Sequence, residues 1–388
     1  MAEHELVLFG ATGFTGGLTA EYLTRHAPAG LRWALAGRSL RKLEAVCGRL
    51  VGIDRARAAQ SVLQADVSDP ASLRALAESA KVVITTVGPY ALYGGPLVAA
   101  CAAAGTDYAD LTGEPEFVDE MWLRYHEQAA RTGARLVHSC GFDSIPYDLG
   151  VLFTVMQLPE GVPLRIEGFL RAGGALSGGT YHSAINALGR LRQAASAASE
   201  RRRRERRPAG RRISGAISPP HHDSDAGGWV VPIPTVDPQT VLRSARALPR
   251  YGPDFTYAHQ LVVKRAPLLA GLAAGAGAAI ALAQLPPARK LLLKLKDPGE
   301  GPSPEQRADG WFRVRFVAEG GGRRVITEVS GADPYGESAK MLAESALCLL
   351  RDELPRRAGQ LTPAVAMGEV LIARLQRAGI EFRVMESQ

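Results

Sequence analysis

Short apolar runs alternate with amphipathic stretches through the first 140 residues of the chain. This alternation is the spacing of repeated strand–helix units. The apolar runs predict strands at Leu6–Phe9, Arg32–Ala36, Val62–Gln64, Val82–Val87, Tyr108–Leu111 and Arg135–His138. The amphipathic stretches predict helices at 13–26, 39–50, 70–79, 95–104 and 117–132. Strands and helices in this order form a parallel, doubly wound sheet, whose ligands bind at the carboxyl ends of the strands.

The pattern changes after Pro146. Residues 311–319 and 323–331 flank three glycines and alternate apolar with polar positions, which predicts an antiparallel hairpin. The tail contains two amphipathic helices, the second of which begins at a Thr362 cap. We therefore expect an α/β fold, with an N-terminal Rossmann-type doubly wound parallel sheet followed by an inserted α+β second domain. The expected boundaries are 1–146 for the first domain, 147–335 for the second and 336–388 for the C-terminal helices.

Two segments of the second domain are unusual in composition. Residues 201–212 contain eight arginines and one glutamate, and residues 208–228 are rich in Pro, Gly, Ser and His. A flexible Arg-rich insert is therefore predicted over 200–228. Residues 266–288 carry no charge and are long enough to span a bilayer. Because ten of these 23 residues are Ala and only six are Leu or Ile, we favour a buried or membrane-surface helix over a membrane span.

The first strand ends in a glycine-rich turn, "GATGFTGG", at residues 10–17. A strand followed by such a turn and a helix presents backbone N–H groups at a helix N-terminus, where a pyrophosphate binds. The glycines allow the tight turn, the close approach of the phosphates and the packing of the helix on the strand. The turn thus predicts a dinucleotide site. Its candidate contacts are Gly10, Thr12, Gly13, Phe14, Thr15 and Gly16.

The end of the second strand indicates which dinucleotide binds. An NAD site usually has an acidic residue there for the ribose 2′-hydroxyl, whereas this chain has Arg38 and Ser39. A guanidinium suits a 2′-phosphate, so NADP(H) is the predicted cofactor. Asp66, after the third strand, is predicted to approach the adenine. The loop after the fourth strand is predicted to lie against the nicotinamide through Val87, Gly88 and Pro89.

The net charge of +7 comes from one segment. Outside residues 201–212 the chain has 38 basic and 38 acidic residues. The basic segment has no interleaved aromatic residues, so nucleic-acid binding is not predicted. The four cysteines form no C-x-x-C pair, and the N-terminus has no basic region with an apolar core. These features predict a cytoplasmic protein without a structural zinc site.

Taken together, these motifs resemble those of the saccharopine dehydrogenase-like oxidoreductases, and most closely the trans-acting enoyl reductases among them. The matching stretches are "GATGFTGG", "AGRS", "TTVGPYALYGGPLVAACAAAGTDYADLTGE", "CGFDSIPYDLG", "SGGTYHSA" and "LTPAVAMGEVLIARLQRAGIEF". The resemblance implies an NADP-binding Rossmann domain, an inserted domain and C-terminal helices that pack back on the first domain. It also implies NADPH-dependent reduction of a carbon–carbon double bond in an acyl or polyketide thioester, in lipid or polyketide biosynthesis.

Enoyl reduction requires a hydride at the β-carbon, a group that stabilises the enolate oxygen and an acid that protonates the α-carbon, and it requires no metal. Two loops that follow predicted strands contain suitable acids. Tyr90 and Tyr93 lie in the first loop and Asp143 and Tyr147 in the second, so these four are the candidate catalytic residues. Asp143 has a helix cap as its alternative role. For Tyr90 and Tyr93 the alternative role is packing in the hydrophobic core.

Two other functions remain open at this point. An imine reductase acting on an amino acid and a 2-oxo acid would need several basic residues in the cleft. A non-catalytic nucleotide-binding protein would coat a lipid surface through residues 266–288. For an enzyme, the Arg-rich segment is expected to attract an acidic carrier protein or the inner face of the cell membrane. Gly271-x-x-x-Gly275 would permit the close helix packing of a homodimer.

Overall fold

The computed structural model of the chain describes residues 2–174, 177–264, 266–295, 297 and 299–387. Six parallel strands in the order β3-β2-β1-β4-β5-β6 begin its first sheet. These strands are β1 (His4–Phe9), β2 (Trp33–Gly37), β3 (Ser61–Gln64), β4 (Ala80–Thr85), β5 (Asp107–Asp110) and β6 (Arg135–Val137). The helices between and after them are α1 (Phe14–His26), α2 (Leu40–Ile53), α3 (Pro70–Ser79), α4 (Tyr90–Tyr93), α5 (Gly95–Ala104) and α6 (Pro115–Thr132). All six predicted strands and all five predicted helices are confirmed, with ends that differ by a few residues.

The central strand β1 shows why the sequence forms this sheet. Every residue of β1 is buried, because helices cover both faces. Successive side chains point to opposite faces of a strand. Leu6 and Leu8 accordingly join one hydrophobic core, whereas Val7 and Phe9 join the core on the other face. The continuous apolar run thus places the end of β1, with its glycine turn, in the middle of the sheet.

A second, mixed sheet lies in the middle of the chain, in the order β13-β12-β7-β11-β10-β9, with β8 paired to β11. Its strands are β7 (Leu164–Gly173), β8 (Arg212–Ala216), β9 (His221–Asp223), β10 (Gly228–Pro232), β11 (Asp254–Val263), β12 (Trp311–Gly320) and β13 (Arg323–Gly331). The helices are α7 (Ile145–Val155), α8 (Gly178–Leu188), α9 (Leu191–Arg204), α10 (Asp237–Ala247), α11 (Ala266–Gln284), α12 (Pro286–Leu292) and α13 (Pro304–Ala308), with a 3₁₀ turn at Pro249–Tyr251. The antiparallel pairing of β12 with β13 confirms the predicted hairpin.

The C-terminal part of the chain returns to both sheets. Its elements are α14 (Pro334–Arg351), β14 (Gly359–Leu361), α15 (Pro363–Ala366), α16 (Gly368–Arg377) and β15 (Glu381–Ser387). Strand β14 pairs with β6 as a seventh parallel strand, and β15 pairs with β13 at the edge of the second sheet. Helix α14 packs on α1, where the Tyr22 hydroxyl donates to Glu344 at 2.9 Å. The sequence predicted α14 and a second helix beginning at the Thr362 cap, which in the structure is divided at Met367 into α15 and α16; neither strand was predicted.

The Arg-rich segment forms regular secondary structure, and the flexibility expected over 200–228 stays a prediction. Helix α9 runs through Arg204, and β8, β9 and β10 follow it. Arg201 is buried, with its Nε 2.9 Å from Oδ1 of Asp119 on α6. Arg211 donates to backbone carbonyls around the turn after α10, and Arg212 binds Asp254. Composition alone does not show these contacts, because the partners of the arginines lie far away in sequence.

Residues 266–288 fall within α11 and α12. Helix α11 packs on α8, and its Ala283 is fully buried. Several side chains of the same segment are exposed, among them Ile280, Leu282 and Leu285. Within the described ranges, none of the helices combines the length and the hydropathy that crossing a bilayer requires.

Candidate functional site

A cleft of about 1000 Å³ opens at the carboxyl ends of the first-sheet strands. The loops after β1, β2 and β4 line one side of it, and helix α8 of the second domain lines the other. This is the place where parallel sheets bind their ligands, because the chain reverses its strand order there. The cleft brings together Gly10, residues 12–16, Arg38, residues 87–90, Tyr93 and Asp143 from the sequence prediction. Every predicted contact of the glycine turn lines the cleft: Gly10, Thr12, Gly13, Phe14, Thr15 and Gly16. Among the described residues of α1, none beyond Gly16 lines it.

The glycine turn has the geometry that a pyrophosphate requires. Gly10 adopts a φ of +100°, which a residue with a side chain rarely does. Gly13 precedes α1, and among the described residues no side chain caps that helix, so its first backbone N–H groups face the cleft. A Cβ on Gly16 would lie 2.2 Å from the carbonyl oxygen of Gly10. The turn therefore depends on glycine at both ends to hold α1 against β1.

Arg38 follows β2 and lines the cleft, as the 2′-phosphate prediction requires. Ser39 and Asp66 lie beside the cleft without lining it. The Ser39 hydroxyl accepts from Lys42 N–H and caps α2, while Asp66 accepts hydrogen bonds from the N–H and hydroxyl of Ser68. These bonds from Ser68, with the nearby charge of Arg38, lower the pKa of Asp66. The nucleotide contacts of Ser39 and Asp66 stay predictions.

The loop after β4 lies next to the glycine turn. The Thr86 hydroxyl donates to the carbonyl oxygen of Gly10 at 3.2 Å and joins the two loops. Val87, Gly88 and Pro89 then line the cleft before α4 begins at Tyr90. The predicted nicotinamide loop is therefore fixed to the predicted pyrophosphate loop by a side chain that the sequence analysis did not single out.

Tyr90 is not available as an acid, and its assignment to catalysis is corrected. Its hydroxyl donates to the Thr85 carbonyl at 3.0 Å and accepts from Leu111 N–H at 3.2 Å. Burial raises the pKa of Tyr90 well above its ordinary value. Tyr90 therefore joins the ends of β4 and β5. Tyr93, three residues later, lines the cleft, is 43% exposed, and has no hydrogen bond to any described residue through its hydroxyl.

Glu114 fastens the loop of Tyr90 to the second domain. Its Oε1 accepts from Tyr90 N–H and from the Ser183 hydroxyl on α8, both at 2.9 Å. Its Oε2 accepts from Ala91 N–H at 2.8 Å. Burial raises the pKa of Glu114, and the three hydrogen bonds oppose that rise. This carboxylate caps the short helix α4 and fixes α8 relative to the cofactor loop.

Asp143 lies in the loop between β6 and α7 and faces the cleft. A Cβ on Gly113 would lie only 3.0 Å from its Oδ2, so the missing side chain makes room for the carboxyl group. The N-cap of α7 is Ser144, so the alternative role of Asp143 as that cap is not observed. Solvent reaches Asp143 from the cleft. The surrounding protein still disfavours its charged form and raises the pKa of Asp143 to about 6.

Tyr147 lies in the core, so its assignment to catalysis is wrong. Its side chain is 1% exposed and does not line the cleft. The ring packs edge-on against His259, with centroids 4.8 Å apart, and also contacts Phe142. Tyr147 is close in sequence to the cleft residue Asp143, as predicted. It lies on α7, however, and its side chain points from that helix into the core.

Several cleft residues were not among the predicted site residues. On α8 these are Thr180, His182 and Ser183, and from α14 Tyr335 joins them. The Ser177 hydroxyl caps α8 by accepting from Thr180 N–H, and the Tyr335 hydroxyl donates to Thr180 at 3.2 Å. The stretch "SGGTYHSA" was the available signal for the α8 residues. In the described part of the chain, no group of His, Cys, Asp and Glu is arranged to hold a metal ion.

Comparison with known proteins agrees with this geometry. Residues 6–137 match the saccharopine dehydrogenase NADP-binding domain. The chain is 38% identical to a trans-acting enoyl reductase of Mycobacterium tuberculosis and 37% identical to one of Mycobacterium ulcerans. Each match covers 97% of this chain and 97% of the relative. The apo saccharopine dehydrogenase (L-Glu forming) of Saccharomyces cerevisiae has a similar fold, with a TM-score of 0.60 and 12% identity over 99% of this chain and 100% of that one.

Proposed function

This chain belongs to the saccharopine dehydrogenase-like oxidoreductase family that includes the trans-acting enoyl reductases, and on that premise we propose that it is an NADPH-dependent enoyl reductase. It is an NADP-dependent oxidoreductase, with NADP(H) as its cofactor. The proposed substrate is an α,β-unsaturated acyl or polyketide thioester. The observation that carries the proposal is the position of Asp143, a carboxyl group with a pKa of about 6, in the same cleft as the NADP(H) loops.

The described residues fit NADP(H). The turn at Gly10–Gly16 has free N–H groups and room for a pyrophosphate, Arg38 supplies the positive charge for a 2′-phosphate, and residues 87–89 form a wall for the nicotinamide. When bound, NADPH supplies the hydride that is added to the β-carbon of the substrate. The protein must then provide a proton for the α-carbon and a hydrogen bond for the thioester oxygen.

Asp143 is the proposed proton donor. With a pKa of about 6, a useful fraction of its carboxyl groups is protonated near neutral pH. Transfer of this proton to the α-carbon completes the addition of one hydride and one proton across the double bond, and Asp143 is then reprotonated from solvent in the cleft. The Tyr93 hydroxyl lines the same cleft and is the proposed hydrogen-bond donor to the thioester oxygen.

The cleft lining favours this substrate over an imine. Among the described residues that line the cleft, Arg38 is the only arginine or lysine, and the nucleotide phosphate is its proposed partner. An imine formed from an amino acid and a 2-oxo acid carries at least two carboxylates, which would remain without a positively charged partner. The likeness to saccharopine dehydrogenase therefore concerns the fold.

We further propose where the substrate comes from. The exposed arginines of the Arg-rich segment, such as Arg202 and Arg206, would attract an acidic carrier protein that brings the thioester. We place the enzyme in the cytoplasm, associated peripherally with the inner face of the cell membrane, in lipid or polyketide biosynthesis. The exposed apolar residues of α11 and α12 support this location. A homodimer through Gly271 and Gly275, both exposed on α11, stays a prediction.

The test is NADPH oxidation by the purified protein, followed at 340 nm with mass spectrometry of the product. One substrate set contains α,β-unsaturated acyl thioesters of increasing length, and the other pairs amino acids with 2-oxo acids. We expect turnover of the thioesters alone and a strong preference for NADPH over NADH. Turnover of only the amine and oxo-acid pairs would replace the proposal with imine reduction. Tight NADPH binding without turnover of either set would also contradict it.

A further inference from the structure

Exposed apolar side chains are concentrated on one part of the second domain. They lie on α11, on α12 and beside them, and their exposed fractions range from 40% to 71%. We call this group the apolar face; it consists of Leu191, Ile280, Leu282, Leu285, Leu291 and Leu295. A concentration of exposed apolar side chains in one region of a protein indicates a place where another molecule binds, because exposing such groups to water is unfavourable.

The charged residues in the stretch that carries α11 and α12 are all positive. From Lys264 to Lys296 the chain has no Asp or Glu. Lys290 and Lys294 are exposed and interleaved with Leu291 and Leu295, and neither lysine has an ion pair with a described residue. An exposed apolar surface with lysines between its leucines and no acidic residue matches the interface of an anionic lipid bilayer.

The apolar face is connected to the mouth of the cleft. Leu293 lies between its leucines and lines the cleft, and so does Leu188 at the end of α8. The Tyr181 hydroxyl donates to the Leu292 carbonyl at 3.1 Å, and Gln284 donates to the Leu188 carbonyl. These bonds hold α8 against α11 and α12. An apolar chain that leaves the cleft past Leu188 and Leu293 therefore emerges beside the apolar face.

We propose that the apolar face docks on an anionic lipid bilayer, so that the cleft opens toward the acyl-chain layer and accepts substrates with a long hydrocarbon chain. This inference rests on the proposed function only in naming the substrate as an acyl thioester. Docking by the apolar face does not depend on the reaction. An acidic protein partner would also be attracted by Lys290 and Lys294, but it would not require five exposed leucines and one isoleucine in the same region.

The test is co-sedimentation of the full chain with vesicles of phosphatidylcholine alone and of phosphatidylcholine with 30 mol% (about one third) phosphatidylglycerol. The wild-type protein should bind the anionic vesicles. Added salt should dissociate only part of it, because the leucines also contribute to binding and their apolar contacts are not screened by salt. L285E/L291E/L295E should lower the partition coefficient by at least about tenfold. K290Q/K294Q should lower it by about 25-fold on anionic vesicles, at roughly fivefold per lysine neutralised, and have little effect on neutral ones.

The matched control is V51E/V384E/M385E, which places the same three charges on exposed apolar positions elsewhere. It should bind like the wild type, and circular dichroism should show that all variants are folded. Absence of wild-type binding to anionic vesicles would overturn the proposal, as would equal binding by the leucine variant. Binding to an acidic carrier protein without binding to vesicles would replace the bilayer with a protein partner. L285E/L291E/L295E should still reduce a short, water-soluble enoyl thioester. Loss of vesicle binding with this activity retained would therefore concern docking alone and leave the proposed function untouched.

Discussion

Glu114 Oε1 lies 2.9 Å from the hydroxyl oxygen of Ser183 and 2.9 Å from the backbone nitrogen of Tyr90. One buried carboxylate oxygen thus joins the cofactor loop of the first domain to helix α8 of the second. A carboxylate that accepts three hydrogen bonds away from water loses much of its stabilisation when a partner is removed. The two walls of the cleft are therefore held in register by this group.

Replacement of Glu114 by Ala should destabilise the protein by about 2–4 kcal/mol, because two backbone N–H groups and one hydroxyl lose their acceptor. It should also raise the KM for the thioester, because α8 is no longer fixed to the cofactor loop. Urea unfolding and steady-state kinetics measure the two effects. Ser183→Ala removes a single hydrogen bond and should cost only about 1 kcal/mol. Equal stability of E114A and the wild type would contradict the role assigned to Glu114.

Asp143→Asn should lower kcat by about 10²- to 10⁴-fold, the usual contribution of a positioned acid. The donor form of Asp143 is the protonated one, so wild-type kcat/KM should be highest below about pH 6 and fall as the pH rises through that value. The pH–rate profile of the residual activity in D143N should lack this fall. Binding of NADPH, measured by fluorescence titration, should be unchanged. A profile that still falls near pH 6 in D143N would assign the titrating group to another residue.

Arg38→Ala should weaken NADPH binding by about 10- to 100-fold, because a charge-assisted contact to the 2′-phosphate contributes about 1.5–3 kcal/mol. NADH lacks that phosphate, so its affinity should change little. Isothermal titration with both nucleotides measures the preference directly. Arg41→Ala, three residues further on, is the control and should leave the preference in place. An equal loss of affinity for NADPH and NADH in R38A would show that the arginine only supports the loop.

Gly16→Ala should abolish NADP(H) binding or reduce it by at least about 100-fold, since its Cβ would lie 2.2 Å from the Gly10 carbonyl oxygen and force α1 away from β1. Gly17→Ala is a precise control, because a Cβ there would meet only the Ala11 oxygen at an ordinary 3.8 Å. Nucleotide protection against thermal unfolding compares the two variants. Normal protection of G16A would show that the turn does not hold the pyrophosphate.

Arg201→Ala should destabilise the protein by about 3–5 kcal/mol, because Asp119 would remain buried without its charged partner. Arg202→Ala, at the exposed neighbouring position, should have a much smaller effect. Urea unfolding of both variants provides the comparison. Equal stability of the two variants would show that the ion pair between Arg201 and Asp119 does not stabilise the fold.

The first six strands of the first sheet, and the helices between them, could be predicted because each depends on local sequence. The apolar run of β1 and the glycine turn after it are recognisable in the sequence. The role of Arg38 could be predicted from its position directly after β2. Tyr90 and Tyr147 show the limit of this approach. Both lie in or just after loops that border the cleft, but their side chains point into the core. The Tyr90 hydroxyl binds the Thr85 carbonyl, and the Tyr147 ring packs against His259.

The strands β14 and β15 and the pairing of Arg201 could not be predicted for a related reason. Gly359–Leu361 is too short to show a periodic pattern, and it forms a strand only because β6 leaves an edge beside it. The acidic partner of Arg201 lies 82 positions earlier in the chain. Such long-range contacts are decided by the packing of the whole fold, which a single sequence does not show.

The placement of β14 and β15 has a consequence for the synthesis of the protein. Both sheets contain many earlier strands, but each obtains its last strand from residues after 358. Until those residues emerge from the ribosome, β6 and β13 both expose unpaired backbone edges, which are sites of aggregation. The two domains therefore cannot be completed one after the other during translation. The edges of β6 and β13 are covered only after the last strands, β14 and β15, have been synthesised.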